Sequence, residues 1–444
     1  MARFHLISLG CAKNLVDSEV MLGSMAIGGW ELVDNPDDAD LLILNTCGFI
    51  QPAVEEAITE IFELVSLKEQ RPDKKIVVVG CLVQRYKKNL PEELPEVDLF
   101  LGTEAAAEIA EYIARMETGD LPDRVVLPGR TLMTSDTPRV LSTPVFRSWL
   151  KITEGCDNRC SYCMIPSIRG HLRSRTTEDL IHEAQKVQEY GVKELSLIAQ
   201  DSTAYGNDLG KGQDIVHLMH QLLRRTNIPW LRLLYLYPTG ISDELLHLMA
   251  DHPRIVPYLD IPLQHVSDKI LSSMNRRYDA AQLYAKIDRI RAKIPDIAIR
   301  TTFLVGFPGE TDNDFLELET FLEKMHIDHV GVFPYANEEG CPSELFVNQV
   351  PDEEKLRRRD YLLEVQSKIS AGIQKKYIGR VEQVLVEGLS EETDLLLEGR
   401  TRYQAPEVDG CVYINDGVAS PGDIVQVHIT DTQIYDLVGG IVEG

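Results

Sequence analysis

The chain has 444 residues, of which 44% are apolar and 26% are charged. This combination predicts a globular protein of roughly two to four domains. No apolar run is long enough to span a bilayer, and the N-terminus lacks the apolar stretch and cleavage site of an export signal. Eight cysteines are too few and too scattered for a disulfide scaffold. We therefore expect a cytoplasmic protein with no membrane partner.

The net charge of −25 is concentrated at the two ends of the chain. Residues 1–120 carry a balance of −12 and residues 381–444 a balance of −11, whereas residues 121–380 are nearly neutral. Acidic surfaces repel a phosphate backbone and attract basic proteins. The charge therefore disfavours nucleic acid as a partner, although an acidic surface can also serve solubility alone.

The first third of the chain, residues 1–120, alternates short apolar runs with helical stretches. Three runs are predicted to be strands: residues 3–9, 41–46 and 75–80. Helices are predicted between them, at about residues 15–27 and 52–68. Buried strands that alternate with helices are typical of a doubly wound α/β sheet, which we expect for this first domain.

A cysteine follows each of these three strands. Cys11, Cys47 and Cys81 stand 36 and 34 residues apart, one in each strand–helix unit. Ligands bind beyond the carboxyl ends of the strands in such sheets, and three thiolates there suit an iron–sulfur cluster with one open iron. A single cysteine in this position is usually a small buried hydrophobe. Three at the same level favour a cluster site.

A second trio lies within one short loop, where Cys156, Cys160 and Cys163 have the spacing C-x₃-C-x₂-C. Three soft sulfur ligands so close together suit a [4Fe-4S] cluster, in which one iron has no protein ligand and can bind a further molecule. The alternative is a structural zinc site, which usually needs a fourth Cys or His nearby. The loop has none, and His171 is the nearest, so the spacing favours the cluster.

Six strands separated by helical segments are predicted in the second domain, residues 142–371. The strands lie near residues 148–153, 194–199, 231–236, 256–263, 297–305 and 329–335. Helices are predicted from Thr176 to Tyr190, where Thr176 and Asp179 form a capping box, and from about Ala280 to Lys293. Six such units suggest a partial, open parallel barrel with its functional residues at the carboxyl ends of the strands.

Three residues at these strand ends are candidates for cofactor binding. Gln200 and Asp201 end the second strand, and Gly306 follows the fifth, where the missing Cβ permits close approach of a flat ligand. Gln264 and His265 end the fourth strand, and His265 is equally well explained as a hydrogen-bonded structural histidine. No residue is identified as catalytic.

Other reactive or charged residues have simpler explanations. Arg169, Arg173 and Arg175 follow the cluster loop and could hold a carboxylate, although exposed arginines are usually solvated. Cys341 and Cys411 have no partners by spacing and are predicted to be structural.

The last domain, residues 374–440, is predicted to be a small antiparallel β-barrel. Its strands are read at Val381–Val386, Leu395–Leu397, Cys411–Ile414, Ile424–Ile429 and Ile434–Val438. Such barrels often bind RNA through basic grooves. Residues 381–444 contain only Arg400 and Arg402 against thirteen acids, so we expect no nucleic acid there.

These motifs and their order resemble the methylthiotransferase family of radical S-adenosylmethionine enzymes. Its members join an N-terminal three-cysteine domain, a radical S-adenosylmethionine core and a terminal TRAM barrel. Four segments resemble the branch that acts on an aspartate of small-subunit ribosomal protein S-twelve: Leu9–Asn14, Asn45–Ile50, Pro262–His265 and Thr301–Phe303. The branch that modifies tRNA typically has serine and glycine after the glutamine, and aspartate where Thr302 stands.

The resemblance implies two [4Fe-4S] clusters, one on each cysteine trio, and S-adenosylmethionine as cofactors. The loop cluster would cleave S-adenosylmethionine to a 5′-deoxyadenosyl radical, and this radical would take hydrogen from the aspartate β-carbon. That C–H bond is beyond any side-chain base. The N-terminal cluster would supply sulfur, and a second S-adenosylmethionine the methyl group. Gln200 and Asp201 stand where related cores contact the cofactor amino group, in place of the usual glycines.

Two other functions stay open at this stage. One is a tRNA adenosine methylthiotransferase, which the acidic barrel disfavours. The other is a non-catalytic electron carrier with two clusters, which would release no 5′-deoxyadenosine from S-adenosylmethionine. The expected partner is the basic ribosomal protein, and the sequence indicates no particular electron donor.

Overall fold

The computed structural model describes residues 2–393 and 395–442 and contains three large sheets that follow one another along the chain. Each sheet and its helices form one unit, so the predicted α/β organisation with a terminal barrel is confirmed. None of the helices in the described part of the chain has the length and apolar character that a bilayer crossing requires.

The first unit is a parallel sheet with helices on both faces. Its strands are β1 (Arg3–Ser8), β2 (Glu31–Leu32), β3 (Leu41–Thr46), β4 (Lys75–Gly80), β5 (Leu99–Leu101) and β6 (Val125–Val126). Its helices are α1 (Ala12–Ile27), α2 (Gln51–Gln70), α3 (Cys81–Tyr86), α4 (Leu90–Glu93) and α5 (Ile109–Thr118). The last strand lies past the domain boundary expected at residue 120.

The strand order β2-β1-β3-β4-β5-β6 explains why the first three cysteines meet. The chain winds outward in one direction after β1 and in the other after β3, so a crevice opens between the carboxyl ends of these neighbours. One apolar core packs α1 and α5 on one face, and a second packs α2 and α3 on the other. The prediction of a doubly wound sheet is therefore confirmed.

The second unit contains a six-stranded parallel sheet in the order β14-β13-β12-β11-β10-β7 and a two-stranded ribbon, β8 with β9. The strands are β7 (Arg147–Lys151), β8 (Thr153–Glu154), β9 (Arg173–Ser174), β10 (Glu194–Ile198), β11 (Trp230–Leu233), β12 (Ile255–Asp260), β13 (Ala298–Val305) and β14 (His329–Pro334). All six predicted strands are present, in an open sheet whose order follows the chain.

The helices of this unit connect successive strands. They are α6 (Ile165–Ile168), α7 (Thr177–Glu189), α8 (Ile215–Arg225), α9 (Asp243–Asp251), α10 (Asp268–Ser273), α11 (Ala280–Lys293), α12 (Asp312–Met325) and α13 (Asp352–Gln374). Helices α7 to α13 pack on one face of the sheet and form the largest apolar core of the described residues, whereas Ile168 of α6 packs against Cys81 of the first domain.

The other face of this sheet is covered by the two flanking domains. Trp149, Trp230 and Tyr258 on this face join one apolar cluster with Val16 of α1 and with Leu385 of the C-terminal domain. All three domains therefore meet on the sheet whose strand ends carry the predicted cofactor residues.

The third unit is a closed barrel of five strands in the order β15-β16-β17-β19-β18. They are β15 (Val381–Leu389), β16 (Leu397–Thr401), β17 (Val412–Asp416), β18 (Ile424–Thr432) and β19 (Leu437–Ile441). Four neighbouring pairs are antiparallel, as predicted, and the pair β17–β19 is parallel. A closed ring with an odd number of strands cannot alternate throughout, so one parallel pair is unavoidable.

Candidate functional site

One cavity of about 350 Å³ lies between the first and second domains and is lined by all six predicted cysteine ligands. The first domain contributes its trio from three strand ends, and the second contributes its trio from one loop. These residues are Cys11, Cys47, Cys81, Cys156, Cys160 and Cys163. The two trios therefore face the same space.

The N-terminal trio is held together by Asn14, which is buried in the first turn of α1. Its amide nitrogen donates to the backbone carbonyls of Leu9 and Thr46 at 3.0 Å each, which joins the ends of β1 and β3. Gly10 has a φ of +95°, and a Cβ on it would lie 3.0 Å from the Cβ of Cys47. A side chain at this position would push the Cys11 and Cys47 loops apart.

The charges around this trio act differently on its members. Burial raises the pKa of the Cys11 thiol, but the Lys13 ammonium and the Asn14 backbone N–H bring it below its ordinary value. Burial raises the pKa of Cys81 to about 12, against the opposing charge of Arg169. Thiolates are the metal-binding form of cysteine, so metal binding here would release protons.

The loop trio is positioned by contacts between its own backbone and neighbouring turns. Cys156 N–H donates to the Gly170 carbonyl at 3.0 Å, and the Ser161 N–H donates to the Met274 carbonyl at 3.1 Å. Burial raises the pKa of Cys156 to about 11 and raises that of Cys163 further. The loop therefore presents three sulfurs in a protected, rigid setting.

The donor set fits an iron–sulfur cluster in each half of the cavity. All eight cysteines are free thiols, and six of them are soft sulfur donors in two groups of three. Within residues 2–393 and 395–442, no three Cys, His, Asp or Glu side chains converge as ligands of one single metal ion.

Arg169 connects the two halves of the site. This residue, expected to be solvated or to hold a ligand carboxylate, is only 3% exposed. Its guanidinium donates to Asp17 at 2.7 Å, to Asn14 at 2.6 Å and to the Cys81 sulfur at 3.3 Å. The expectation of a solvated side chain was wrong because the first domain covers this part of the core.

Arg169 belongs to a buried network of four charges with Asp17, Lys151 and Glu154. Lys151 is paired with Asp17 and lies 2.9 Å from Glu154. Burial raises the pKa of the Glu154 carboxyl, but the charges of Lys151 and Arg169 hold it well below its ordinary value. Glu154 therefore stays ionised, and the network joins the two domains beside the cavity.

Two of the three predicted cofactor residues line the cavity. The Gln200 amide nitrogen donates to Glu154 at 3.1 Å, and its oxygen is buried without a hydrogen-bond partner in the described part of the chain. The Asp201 carboxylate accepts from the Asn158 side chain at 2.6 Å and from the Thr203 N–H at 3.0 Å. Gln200 thus offers a free acceptor, whereas Asp201 already orders the loop around it.

The structure does not bring Gly306 to the described lining of this cavity. Gly306 has a φ of +74°, and a Cβ on it would collide with the Lys355 side chain of α13. Its N–H donates to Glu310 at 2.8 Å. The glycine is required here for close packing of α13, whatever else it contacts.

The remaining residues singled out by sequence have structural partners. The His265 ring accepts from the N–H groups of Val266 and Ser267, and the residue is fully buried. Two arginines after the loop form ion pairs with acids: Arg173 with Glu104, and Arg175 with Asp179 and Glu183. Cys341 is buried among apolar residues, and Cys411 precedes β17.

Several residues of the lining were not predicted as site residues, among them Lys13, Tyr235 and Arg276, and Gln264 was noted only as the end of the fourth predicted strand. Tyr235 and Gln264 have φ angles of +60° and +71°, in a region that non-glycine residues rarely adopt and that is often found at functional sites. Nothing in the sequence shows backbone strain. Lys13 could have been found, since it lies two residues after a predicted ligand.

Each domain matches a known family description. Residues 3–102 match "Uncharacterized protein family UPF0004", residues 150–322 match "Radical SAM superfamily" and residues 378–442 match "TRAM domain". Among solved structures, the radical S-adenosylmethionine methyltransferase TsrM from Kitasatospora setae aligns with a TM-score of 0.56 at 15% identity, over 75% of each chain. That likeness concerns the fold alone.

Similar proteins match over the full length. A protein of Desulfotalea psychrophila named "Ribosomal protein uS12 methylthiotransferase RimO" is 62% identical over 440 residues, which cover 99% of both chains. A protein of the same name from Anaeromyxobacter sp. (strain K) is 48% identical over 99% of this chain and 93% of its own length. The chain therefore belongs to the RimO branch of the radical S-adenosylmethionine methylthiotransferase family.

Proposed function

We propose that this protein attaches a methylthio group to the β-carbon of an aspartate of uS12, the small-subunit protein S-twelve, with two [4Fe-4S] clusters and S-adenosylmethionine as cofactors. The observation that carries the proposal is the single cavity lined by both cysteine trios. Hydrogen removal and sulfur insertion must act on the same carbon, so both centres must reach one substrate atom.

The residues divide into two groups by location. Cys156, Cys160 and Cys163 would hold the cluster that supplies radical chemistry when S-adenosylmethionine is bound. Cys11, Cys47 and Cys81 would hold the second cluster, which supplies sulfur chemistry. The buried acceptor of Gln200 suits an ammonium donor such as that of the cofactor's methionine group.

Aromatic and basic side chains of the lining would orient the bound groups. Tyr162 and Tyr237 provide aromatic surface in the lining, and the Arg276 guanidinium lies 4.4 Å from the Tyr237 ring centroid. Side chains that cover the bound cofactor and substrate would protect reactive intermediates from side reactions. The cavity is therefore suited to radical chemistry on a carbon that no base could activate.

The barrel supports a basic protein rather than tRNA as the substrate. Arg400 is buried and pairs with Glu194 at 2.6 Å and with Glu387 at 2.9 Å, and Arg402 donates to the Ile255 carbonyl at 2.9 Å. Both arginines of the barrel are thus used inside the protein. Its outer surface is left strongly acidic, which favours a basic partner.

The proposal places the enzyme in the cytoplasm, where uS12 is made and assembled. Free cysteines support this location, because thiol ligands for iron persist in a reducing compartment.

The test is to incubate the protein, reconstituted with iron and sulfide under anaerobic conditions, with S-adenosylmethionine, a chemical reductant and either uS12 or tRNA. Mass spectrometry should detect a methylthio addition on an aspartate of uS12, together with release of 5′-deoxyadenosine. Addition to tRNA alone would support the tRNA enzyme. Absence of 5′-deoxyadenosine would support the electron carrier.

A further inference from the structure

Lys13 is a cation of the cavity lining for which the described part of the chain offers no salt-bridge partner. Its Nζ lies 3.7 Å from the centroid of the Tyr235 ring and 3.4 Å from the Ala199 carbonyl oxygen. An ammonium has three donors, and a neutral carbonyl at this distance is a weak acceptor. Lys13 therefore keeps hydrogen-bonding capacity for an anion that enters the cavity.

The other cations of the lining are bound more fully. Arg169 is neutralised by Asp17 and also donates to Asn14. Arg276 lies on the side of the loop trio, where it donates to the Cys160 sulfur at 3.5 Å and to Tyr278 at 2.5 Å. Of the two cations beside the N-terminal trio, Arg169 is paired with a carboxylate, whereas Lys13 has only a long contact with the neutral carbonyl of Ala199.

The position of Lys13 is fixed from the opposite domain. The Tyr235 ring lies under the ammonium, and its backbone has a φ of +60°, which is unfavourable for a bulky residue. Such conformations persist only where the surroundings impose them. The Ser202 N–H donates to the Tyr235 carbonyl at 2.8 Å, and the Tyr235 N–H donates to Asp260 at 3.2 Å. The core thus holds an aromatic surface for a lysine of another domain.

On the basis of the proposed function, we propose that Lys13 binds the side-chain carboxylate of the target aspartate and so selects it over neutral side chains. This carboxylate stays intact in the reaction, because only the neighbouring β-carbon exchanges hydrogen for the methylthio group. A charge-assisted hydrogen bond at this position would hold the β-carbon between the two trios.

The carboxylate of S-adenosylmethionine is a second carboxylate that Lys13 could bind. The Lys13 ammonium contacts the Ala199 carbonyl and the Tyr235 ring, and neither residue is a cysteine of the loop trio that would bind the cofactor. Lys13 also follows Cys11 by two residues. The position beside the N-terminal trio supports the substrate carboxylate, and the binding measurements below separate it from the cofactor carboxylate.

The test uses the reconstituted protein and fluorescently labelled uS12 in two forms, one with the target aspartate and one with asparagine in its place. Binding is measured by anisotropy without reductant. We expect the wild type to bind the aspartate form about tenfold to a hundredfold more tightly. Lys13→Met should reduce this preference to about onefold, and Lys13→Arg should restore part of it.

A matched control is Lys74→Met, which removes another buried lysine of the first domain that is bound to backbone carbonyls only. The folded fraction of this variant should keep the wild-type preference for the aspartate form of uS12. The inference is overturned if the wild type shows no preference, or if Lys13→Met keeps it. It is also overturned if Lys13→Met weakens binding of S-adenosylmethionine instead. If wild-type protein never modifies uS12, the proposed function itself fails.

Discussion

The two cysteine trios reach the same cavity by different routes. The loop trio spans Cys156 to Cys163 and is positioned by a few local contacts of one domain. The N-terminal trio spans Cys11 to Cys81 and depends on the alignment of three neighbouring strands and on Asn14. The first site is a property of a short segment, and the second is a property of a whole domain and its interface.

The two sites should therefore differ in what they need in order to form. A site built from one loop can form whenever the core is folded, whereas a site built from strand ends also needs the Arg169 contact across the domain interface. Substitutions in the two trios should therefore affect 5′-deoxyadenosine release and methylthio addition to different extents.

The largest effect is expected for Cys160→Ala in the loop trio. Loss of a ligand should lower both 5′-deoxyadenosine release and methylthio addition by more than about a hundredfold, since even outer partners of metal ligands cost up to that much. Liquid chromatography with mass spectrometry measures both products. Cys411→Ala, which changes a thiol outside the cavity, is the control and should keep both activities. Normal release from Cys160→Ala would refute the assignment of the loop.

Cys47→Ala should separate the two chemistries. Methylthio addition should fall by about a hundredfold or more, because the sulfur-supplying site loses a ligand. Release of 5′-deoxyadenosine should continue at a rate near that of the wild type, and the iron bound per chain should fall by about half, one cluster of two. Iron analysis and product analysis of the same sample test this. Equal loss of both products would show that the two sites are not independent.

The loop trio could be predicted from its spacing alone, because a loop keeps neighbours in sequence near one another in space. The strand-end trio could be predicted only after the three strands were recognised, since parallel strands align their carboxyl ends. Asn14 and Arg169 could not be assigned in this way. Their partners are 32 and 152 residues away, and no local pattern encodes such contacts.

Arg169→Met tests whether the interface supports the N-terminal trio. The substitution removes a buried partner of Asp17 and Glu154, and breaking a buried ion pair of this kind costs about 3–5 kcal/mol. Urea unfolding should show this loss, and iron should be depleted from the N-terminal site first. Arg225→Met, which removes an exposed pair with Glu178, is the control and should change little. A similar small change for Arg169→Met would contradict the network.

Acid should weaken the contact between the barrel and the core through Glu194. Burial raises the pKa of Glu194, but the charges of Arg232 and Arg400 lower it to about 2, from an ordinary value of 4.5. A carboxyl with a depressed folded pKa stabilises the protein above its unfolded pKa, and this contribution disappears as the pH falls toward the folded value. The contribution is therefore lost between pH 4.5 and about 2.

The variant Glu194→Gln makes this measurable. At neutral pH it should be less stable than the wild type by a few kcal/mol, because two buried arginines lose their charged partner. The difference in unfolding free energy between the two proteins should narrow steadily in acid. A difference that does not change with pH would show that Glu194 is not the titrating group.

The candidate cofactor residues show that a position at a strand end does not by itself identify the function of a residue. The strand-end criterion selected Gln200 and Asp201, which line the cavity, and also Gly306, which packs against α13 and is absent from the described lining. A glycine needed for a ligand and a glycine needed for a helix look alike in a sequence. The neighbouring Lys355 side chain accounts for the packing requirement at Gly306, and the contact of this glycine with the cofactor stays a prediction.

Gln200→Ala should have the smallest effect of the series. Its buried oxygen has no hydrogen-bond partner in the described residues, whereas its nitrogen is held by Glu154 at 3.1 Å. If the oxygen accepts from the cofactor's ammonium group, its removal should weaken S-adenosylmethionine binding by about tenfold, with the iron content unchanged. Calorimetric titration of the reconstituted protein measures this, and Gln185→Ala, remote from the cavity, is the control. Unchanged affinity would refute a contact with the cofactor and would leave Gln200 as a residue that positions Glu154.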